Sequence, residues 1–258
     1  MKLTVVGCSG SFPSPESAAS CYLVEAADDR GRTWRVVLDL GSGAVGPLQR
    51  YAPLDGLDAV FLSHLHPDHF SDVCGLYVAR QYAPGGPVMG RLPVHGPAGT
   101  AERIRQAYGG DPAGLAATLD VREVCDGAPV RVGPFAVTPY RVEHPVEAYG
   151  LRVERHAGRR TEVLAYTGDT DSCDALIPLA KGADVLLAEA SFQEGRDRTR
   201  GVHLTGLRAG RVAADAGCRR LVLTHVPVWT DPDVVVAEAR SVFPGPVERA
   251  RPGAVLHV

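Results

Sequence analysis

The chain has 258 residues, a formal net charge of −3 and 45% hydrophobic residues. These values are typical of a soluble globular protein, and they exclude a general electrostatic affinity for nucleic acid or for anionic membranes. The sequence shows no stretch typical of a signal peptide or a membrane span, and six cysteines without regular spacing favour a reducing compartment. We therefore expect a cytoplasmic protein that folds as a single domain over residues 1–258.

Apolar runs and turn residues predict the elements in chain order. The first part is rich in strands, which we expect at 3–6, 22–26, 35–39 and 59–62. A helix over 71–82 follows and is ended by the glycines and prolines of 84–87. The strand 92–95, the helix 100–108 and a hairpin over 130–138 come next. The remaining predicted elements are strands at 149–153, 162–166, 184–189 and 221–223, and helices at 173–180, before 216 and after 231.

The strand at 59–62 is followed by a cluster of side chains that bind metals, namely His64, His66, Asp68 and His69. Imidazole and carboxylate groups are ligands for divalent cations, and four within six positions exceed what one closed tetrahedral ion needs. Alternation places His64 and His66 on one side, so that Asp68 and His69 can turn towards a second ion. The alternative is a polar loop that happens to be rich in histidine, in which buried unpaired ligand groups would be costly.

Later strands also end in polar residues that can bind a metal or move a proton. These strand ends are His144, Asp169, Glu189 and His225. If the strands run side by side, their ends meet His64 at one edge of the fold. The sequence therefore predicts one site.

The His-x-His-x-Asp-His cluster after an apolar strand resembles the metal motif of the metallo-β-lactamase superfamily, and the later strand ends follow in the same order. The resemblance implies an α/β (α+β) fold: a four-layer αββα sandwich of two mixed β-sheets with helices outside. It implies two divalent ions, Zn²⁺ with Mn²⁺ or Fe as alternatives. The implied ligands are His64, His66 and His144 for one ion, Asp68, His69 and His225 for the second, and Asp169 between them.

The segments Glu189-Ala190-Ser191 and His203-Leu204-Thr205 resemble elements of the RNase Z branch of this superfamily, which implies phosphodiester cleavage. A carboxylate that holds an imidazole is a common general-acid arrangement, so Glu189 and His203 are candidate catalytic residues. Asp68 is a third, because it can orient a hydroxide that bridges two ions. The alternative is a structural glutamate beside a buried histidine. Asp169 stands where many lactam-cleaving members have cysteine, which disfavours β-lactams.

RNase Z enzymes usually carry a long basic arm for tRNA, and the sequence has no such insertion. The start at 7–11 and the segment 225–230 instead resemble actinobacterial cyclic-nucleotide phosphodiesterases of an atypical class II-like group. This resemblance implies hydrolysis of 3′,5′-cAMP to 5′-AMP, with a small nucleotide as substrate. Trp229 is then a candidate for stacking on the base, with a core or dimer contact as the alternative. Arg200 is a candidate phosphate contact, with a solvated loop as the alternative.

Three other functions stay open. The first is an RNase Z-type endoribonuclease that processes tRNA 3′ ends, although the net negative charge makes a large RNA a weaker candidate. The second is a thioester or lactone hydrolase of the glyoxalase II kind, which does not explain Glu189 with His203. The third is a binding module without catalysis, which the complete ligand set disfavours. RNase Z relatives also imply a homodimer, and no membrane partner is expected.

Overall fold

The computed structural model describes residues 1–84, 90–158 and 160–258. The strands in chain order are β1 (Lys2–Ser9), β2 (Ala18–Ala19), β3 (Cys21–Ala27), β4 (Thr33–Leu38), β5 (Ala59–Phe61), β6 (Leu92–Gly96), β7 (Leu119–Glu123), β8 (Val130–Val132), β9 (Phe135–Arg141), β10 (Tyr149–Ala157), β11 (Arg160–Tyr166), β12 (Val185–Glu189), β13 (Leu221–Thr224), β14 (Val247–Arg249) and β15 (Val255–His257). The helices are α1 (Val45–Leu48), α2 (Pro67–Phe70), α3 (Val73–Gln81), α4 (Thr100–Tyr108), α5 (Pro112–Thr118), α6 (Leu176–Ala180), α7 (Gly206–Asp215) and α8 (Pro232–Arg240), with one 3-10 turn at Leu54–Gly56.

The strands form two mixed sheets. The first sheet has the order β15-β1-β3-β4-β5-β6-β7, with β2 paired to β1, and β4 to β7 are parallel. The second has the order β14-β13-β12-β11-β10-β9-β8, with β11 to β14 parallel and the rest antiparallel. Both sheets therefore combine a parallel half, which requires crossover connections, with an antiparallel half. In the second sheet this half is a run of hairpins, whereas in the first it includes the pairing of β1 with β15.

Side chains alternate between two apolar environments along the central strands. In β4, Val36 and Leu38 lie in the core between the sheets, whereas Val37 faces the helices outside the first sheet. In β11, Tyr166 lies in the core between the sheets and Ala165 faces the outer helices. Successive residues of a strand point to opposite faces, so a sheet covered on both faces needs apolar residues throughout. This packing gives the four-layer αββα sandwich that the family resemblance implied.

Helices cover the outer face of each sheet. Apolar residues of α1, α3, α4 and α5 pack on the first sheet, and those of α6, α7 and α8 pack on the second. Between the sheets, the hydroxyl groups of Tyr22 and Thr224 form a hydrogen bond of 2.7 Å. No helix in the described part of the chain is long and apolar enough to cross a membrane.

Most predicted elements are present, with differences at short or edge elements. The helix expected from 173 begins only at Leu176, and the strand expected to reach 39 ends at Leu38. The sequence analysis missed the helices α1, α2 and α5 and the strands β2, β7, β14 and β15. Short edge strands carry little periodicity and depend on their sheet for hydrogen bonds. The residues 85–87, expected to help end the helix at 82, lie outside the described residues.

The core between the sheets supplies a direct stability test. Leu151 is fully buried there, whereas Ile177 on α6 is 37% exposed. We expect Leu151→Ala to lower the free energy of unfolding by about 2–5 kcal/mol, because it removes buried apolar surface and leaves a cavity. Ile177→Ala, the control, should cost less than about 1 kcal/mol. Urea unfolding followed by circular dichroism measures both, and equal losses would contradict this assignment of the core.

Candidate metal centre

The centre lies where the carboxyl ends of strands from both sheets meet. Asp39 follows β4, and the segment 62–66 follows β5 in the first sheet. His144 follows β9, while Asp169, Glu189 and His225 stand at or just after the ends of β11, β12 and β13 in the second sheet. Ligand sites in α/β folds form at the carboxyl ends of parallel strands, because the loops leaving neighbouring strands meet there. The single site predicted from strand ends is therefore present as one cluster.

The first ligand group consists of His64, His66 and His144, whose metal-binding atoms lie within 4.8 Å of one another. Nε2 of His64 is 3.1 Å from Nδ1 of His66, and Nε2 of His144 is 3.2 Å from the same atom. His64 is fully buried, and the other two are partly exposed. Three imidazole nitrogens thus converge on one point at the edge of the fold.

The second ligand group consists of Asp68, His69, Asp169 and His225, all buried and also within 4.8 Å of one another. Nε2 of His225 lies 3.0 Å from Oδ2 of Asp68 and 3.4 Å from Oδ2 of Asp169. The same oxygen of Asp169 is 3.8 Å from Nε2 of His64. Asp169 therefore lies between the two ligand groups, at the position where a bridging ligand is predicted.

A short helix carries two residues of the second ligand group. Strand β5 ends at Phe61, so the expected strand alternation does not place the histidines. Pro67 instead begins α2, which turns Asp68 and His69 into the second ligand group. Proline favours the first position of a helix because its fixed φ suits the helix and its missing N–H costs no hydrogen bond there. The two groups predicted from the sequence are present, but the start of α2, and not strand alternation, separates Asp68 and His69 from His64 and His66.

Asp39 is a buried carboxylate beside the second ligand group. Its Oδ2 is 2.7 Å from Nδ1 of His69 and accepts hydrogen bonds from the hydroxyl groups of Ser63 at 2.8 Å and Tyr166 at 2.7 Å. Its Oδ1 accepts from the backbone N–H of Ser63 at 2.7 Å. A carboxylate on Nδ1 fixes the imidazole orientation and leaves Nε2 to bind a metal.

Other ligand histidines are held in the same way. Nδ1 of His225 is 2.7 Å from Oγ of Ser191, and Nδ1 of His144 is 2.9 Å from the carbonyl oxygen of Val202. Nδ1 of His64 is 3.0 Å from Oγ of Ser63. Oxygen partners on one ring nitrogen are typical of histidines whose other nitrogen binds a metal.

Two residues of the centre have a left-handed backbone conformation. Asp39 has φ +57° and His225 has φ +55°, although neither is glycine. Such conformations are costly for most residues and concentrate at functional sites. Gly168, with φ +59°, precedes Asp169, and a Cβ there would lie 2.9 Å from the side chain of Ser63. The backbone at the centre therefore adopts costly conformations, which the packing and hydrogen bonds around it must stabilise.

Burial and neighbouring charges set the protonation of the ligands. Burial lowers the pKa of His64 well below its usual value, and the nearby His69 adds to this effect. Burial alone would raise the pKa of Asp169, but the charges of His225 and His69 outweigh it and hold the pKa well below its usual range. A neutral imidazole and an ionised carboxylate are the forms that bind metal ions.

The donor set fits divalent cations. Oδ1 of Asp169 is buried and has no hydrogen bond of good geometry to any described residue, with Nε2 of His69 3.3 Å away, although buried polar atoms rarely stay without a partner. Nε2 of His69 and Nε2 of His225 face each other at 3.1 Å. Imidazole nitrogens and carboxylate oxygens that converge in this way suit zinc, manganese or iron. The two ligand groups could therefore bind metal ions, and the assignment of each residue to an ion stays a prediction.

Glu189 and His203 form a hydrogen-bonded pair at the border of the centre. Oε1 of Glu189 is 2.8 Å from Nδ1 of His203, and the carboxylate also accepts from the backbone N–H groups of Thr170 and Ser191. The His203 ring lies 5.6 Å from that of His144. Burial would lower the pKa of His203, but the charge and hydrogen bond of Glu189 raise it to about 9. The pair can hold a proton beside both ligand groups.

The two candidate substrate contacts lie in different surroundings. Trp229 is 59% exposed, and its ring centroid is 5.4 Å from that of Phe12. Arg200 makes an ion pair of 2.7 Å with Asp171, which also pairs with Arg208. The guanidinium of Arg200 is therefore already held by a carboxylate, and its predicted contact with phosphate stays a prediction.

Sequence analysis missed the residues that hold the ligands. Asp39 ends a strand and precedes Leu40-Gly41, so the strand-end rule that found Asp169 could have found it. Ser63 gave no such signal, because a serine next to a ligand is common in any loop. Ser191 belonged to a segment with a family resemblance, but nothing in the sequence indicated that it holds His225. The carbonyl of Val202 carries no sequence signal, since every residue has one.

Comparison with known proteins places these observations in a family. The family model described as "Beta-lactamase superfamily domain" matches residues 34–226. An uncharacterized protein of Mycobacterium leprae is 45% identical, with 100% of this chain and 89% of that protein covered. The probable metallo-hydrolase YhfI of Bacillus subtilis is 36% identical, with 99% of both chains covered. Ribonuclease Z of Myxococcus xanthus is 29% identical, with 98% of this chain and 96% of that protein covered.

Solved structures agree with the sequence comparison. The crystal structure of YhfI superposes with a TM-score of 0.85 at 33% identity, covering 99% of this chain and 98% of that one. The short form of human tRNase Z has the same fold, with a TM-score of 0.76 at 21% identity over 100% and 99% of the two chains. With the two ligand groups at the shared edge of the sheets, this chain belongs to the metallo-β-lactamase superfamily and is a metallo-hydrolase of its RNase Z-like branch.

Proposed function

We propose that the chain is a phosphodiesterase that opens the 3′,5′ ring of a cyclic nucleotide, converting 3′,5′-cAMP to 5′-AMP. The observation that carries the proposal is the Glu189–His203 pair beside both ligand groups. Breaking a phosphodiester bond to a ribose oxygen requires a proton for the departing oxygen, and a positioned histidine supplies it. A thioester or lactone hydrolase leaves this pair without a role.

The first ligand group would hold one ion and the second ligand group another, with Asp169 between them. We propose Zn²⁺ for both, with Mn²⁺ or Fe as alternatives, because imidazole and carboxylate ligands accept all three. When bound, two such cations lower the pKa of a coordinated water and neutralise charge on the phosphoryl oxygens.

The chain's own residues orient water and supply the proton. Asp68, with Oδ2 3.0 Å from Nε2 of His225, directs the attacking water towards phosphorus. Glu189 holds Nδ1 of His203, so Nε2 is the nitrogen left to give its proton to the 3′ oxygen as the P–O bond breaks. The products are then a free 3′ hydroxyl and a 5′-phosphate.

An RNase Z-type activity is the second candidate, and one observation favours it. The relative from Myxococcus xanthus that is named Ribonuclease Z aligns with nearly all of this chain. Cleavage of RNA breaks the same type of phosphodiester bond, so the proposed roles of Asp68 and His203 apply to either substrate.

The cytoplasmic location and the homodimer stay predictions.

The first test compares the two substrates. We expect the metal-loaded protein to convert 3′,5′-cAMP to 5′-AMP and to leave a 3′-extended tRNA precursor intact, with both products resolved by chromatography. Asp169→Ala is the blank, because it removes the carboxylate that lies between the ligand groups. Cleavage of the tRNA alone would refute the cyclic-nucleotide proposal and support the ribonuclease.

The second test examines proton donation by His203. We expect His203→Ala to lower kcat for 3′,5′-cAMP by about 10²–10⁴-fold, the usual contribution of a general acid. The loss should be far smaller for bis(p-nitrophenyl) phosphate, because p-nitrophenolate departs without a proton. His156→Ala is the control, since His156 is exposed and bonds only Thr161 among the described residues. Equal losses with both substrates would indicate a structural role for His203.

The third test removes the carboxylate behind His69. We expect Asp39→Asn to weaken metal binding by about 10–100-fold, as is typical when a hydrogen-bond partner of a ligand histidine is changed. Competition with a chromophoric chelator measures the affinity. Asp174→Asn is the control, because it changes charge equally at an exposed site. Unchanged affinity in Asp39→Asn would contradict the role of Asp39 in holding the centre.

A further inference from the structure

We propose that Phe12 and Trp229 form a binding site for the base of the substrate, called here the aromatic pair. This inference rests on the proposed function, because it assigns the part of a nucleotide that lies beyond the phosphate. It adds Phe12, which no sequence motif indicated, and it defines a class of substrate: phosphodiesters that carry a planar aromatic base.

The aromatic pair is unusually exposed for large apolar side chains. Phe12 is 42% exposed, Trp229 59%, and the adjacent Val228 54%. The ring centroids of the aromatic pair are 5.4 Å apart, and the ring planes meet at 43°. A tilted arrangement leaves ring faces open that a parallel stack would cover. Exposed aromatic faces next to a catalytic centre are typical platforms for nucleobases, because every base has a π-face.

Phe12 lies next to the metal centre along the chain. The backbone N–H of Ser11 points at Nε2 of His225, 3.4 Å away, and Ser11 has φ +64°. The loop is held there by the pairing of Ser9 with Val226. Gly10 packs directly on the backbone of His225, since a Cβ on Gly10 would lie 2.3 Å from the carbonyl oxygen of His225. Phe12 is therefore one residue from a backbone group that contacts a ligand atom.

The backbone of Trp229 is held by its neighbours, while its ring is largely exposed. The next residue, Thr230, is 3% exposed, donates its N–H to the carbonyl of Pro227 and donates its hydroxyl to the carbonyl of Ser191. Ser191 in turn holds the Nδ1 of His225. The loop of Trp229 is thus connected to the same ligand histidine as the loop of Phe12. A ring carried on a backbone that is fixed in this way binds a base with less loss of conformational entropy than a ring on a mobile loop.

The dimensions favour a base over a second copy of the chain. A stable dimer buries about 800 Å² on each partner, whereas two aromatic side chains offer about 300–500 Å² at most. Val228, next to Trp229 in the sequence, is a further exposed apolar residue of this patch. The patch is therefore suited to one planar ring system.

The first experiment measures binding without turnover. The chain has two tryptophans, so Trp34→Phe leaves Trp229 as the one indole. In this background we expect 5′-AMP to quench tryptophan fluorescence, because the base stacks on the indole. Adding Phe12→Ala should weaken 5′-AMP binding by about 5- to 100-fold, the range expected for loss of a base–aromatic stack. Tyr82→Ala is the control, because Tyr82 is 65% exposed on the far end of α3.

The second experiment measures turnover by the metal-loaded protein. We expect Trp229→Ala and Phe12→Ala to raise KM for 3′,5′-cAMP by a similar factor, with little change in kcat. Neither variant should change the KM for the 3′,5′-cyclic phosphate of 1-deoxyribose, because this substrate has the same phosphodiester ring and no base. Trp229→Phe should restore much of the affinity for 3′,5′-cAMP, because phenylalanine keeps a stacking face.

The outcomes separate this inference from the proposed function. If 3′,5′-cAMP is hydrolysed while 5′-AMP leaves the fluorescence unchanged and KM is insensitive to both substitutions, the aromatic pair does not bind the base. If 5′-AMP quenches the fluorescence and no cyclic nucleotide is hydrolysed, the base site stands and the proposed reaction fails. If Trp229→Ala converts a dimer to a monomer without weakening 5′-AMP binding, the patch is a subunit interface and the inference is overturned.

Discussion

The buried carboxylate of Asp39 is the constraint on which the centre depends. It joins the first sheet, through Ser63, to the second sheet, through Tyr166, and it holds His69 in place. A buried carboxylate without such partners would be costly, so its four contacts must form together. Meeting this requirement fixes the two sheets at one edge and presents Nε2 of His69 to the second ligand group.

The two halves of the centre have different electrostatic settings. Burial keeps the histidines of the first ligand group neutral, with pKa values below the usual one for His64, His66 and His144. In the second ligand group, burial alone would lower the pKa of His69, but Asp169 and Asp39 outweigh it and raise that pKa. Because one ligand group has two carboxylates and the other has three imidazoles, the two proposed cation sites are unlike, and Asp169 lies between them.

The border of the centre carries the features that would define a substrate. Glu189 and His203 stand on one side as a proton-holding pair. Phe12 and Trp229 belong to two loops that are both connected to His225. Arg200 is held by Asp171 instead. Charge for the phosphate would therefore come from bound cations and His203, and apolar surface for a base would come from the aromatic pair.

The sequence alone indicated the candidate ligand residues, because His, Asp and Glu at strand ends are rare and chemically distinctive, and its metal motif, through the family resemblance, implied the layered fold. Only the tertiary structure decided what surrounds them. The partners of the histidines, Asp39, Ser63 and the carbonyl of Val202, come from distant segments and ordinary residue types. The contact of Phe12 with Trp229 joins the loop after β1 to the loop after β13. Such pairings arise from packing, which one residue's identity does not encode.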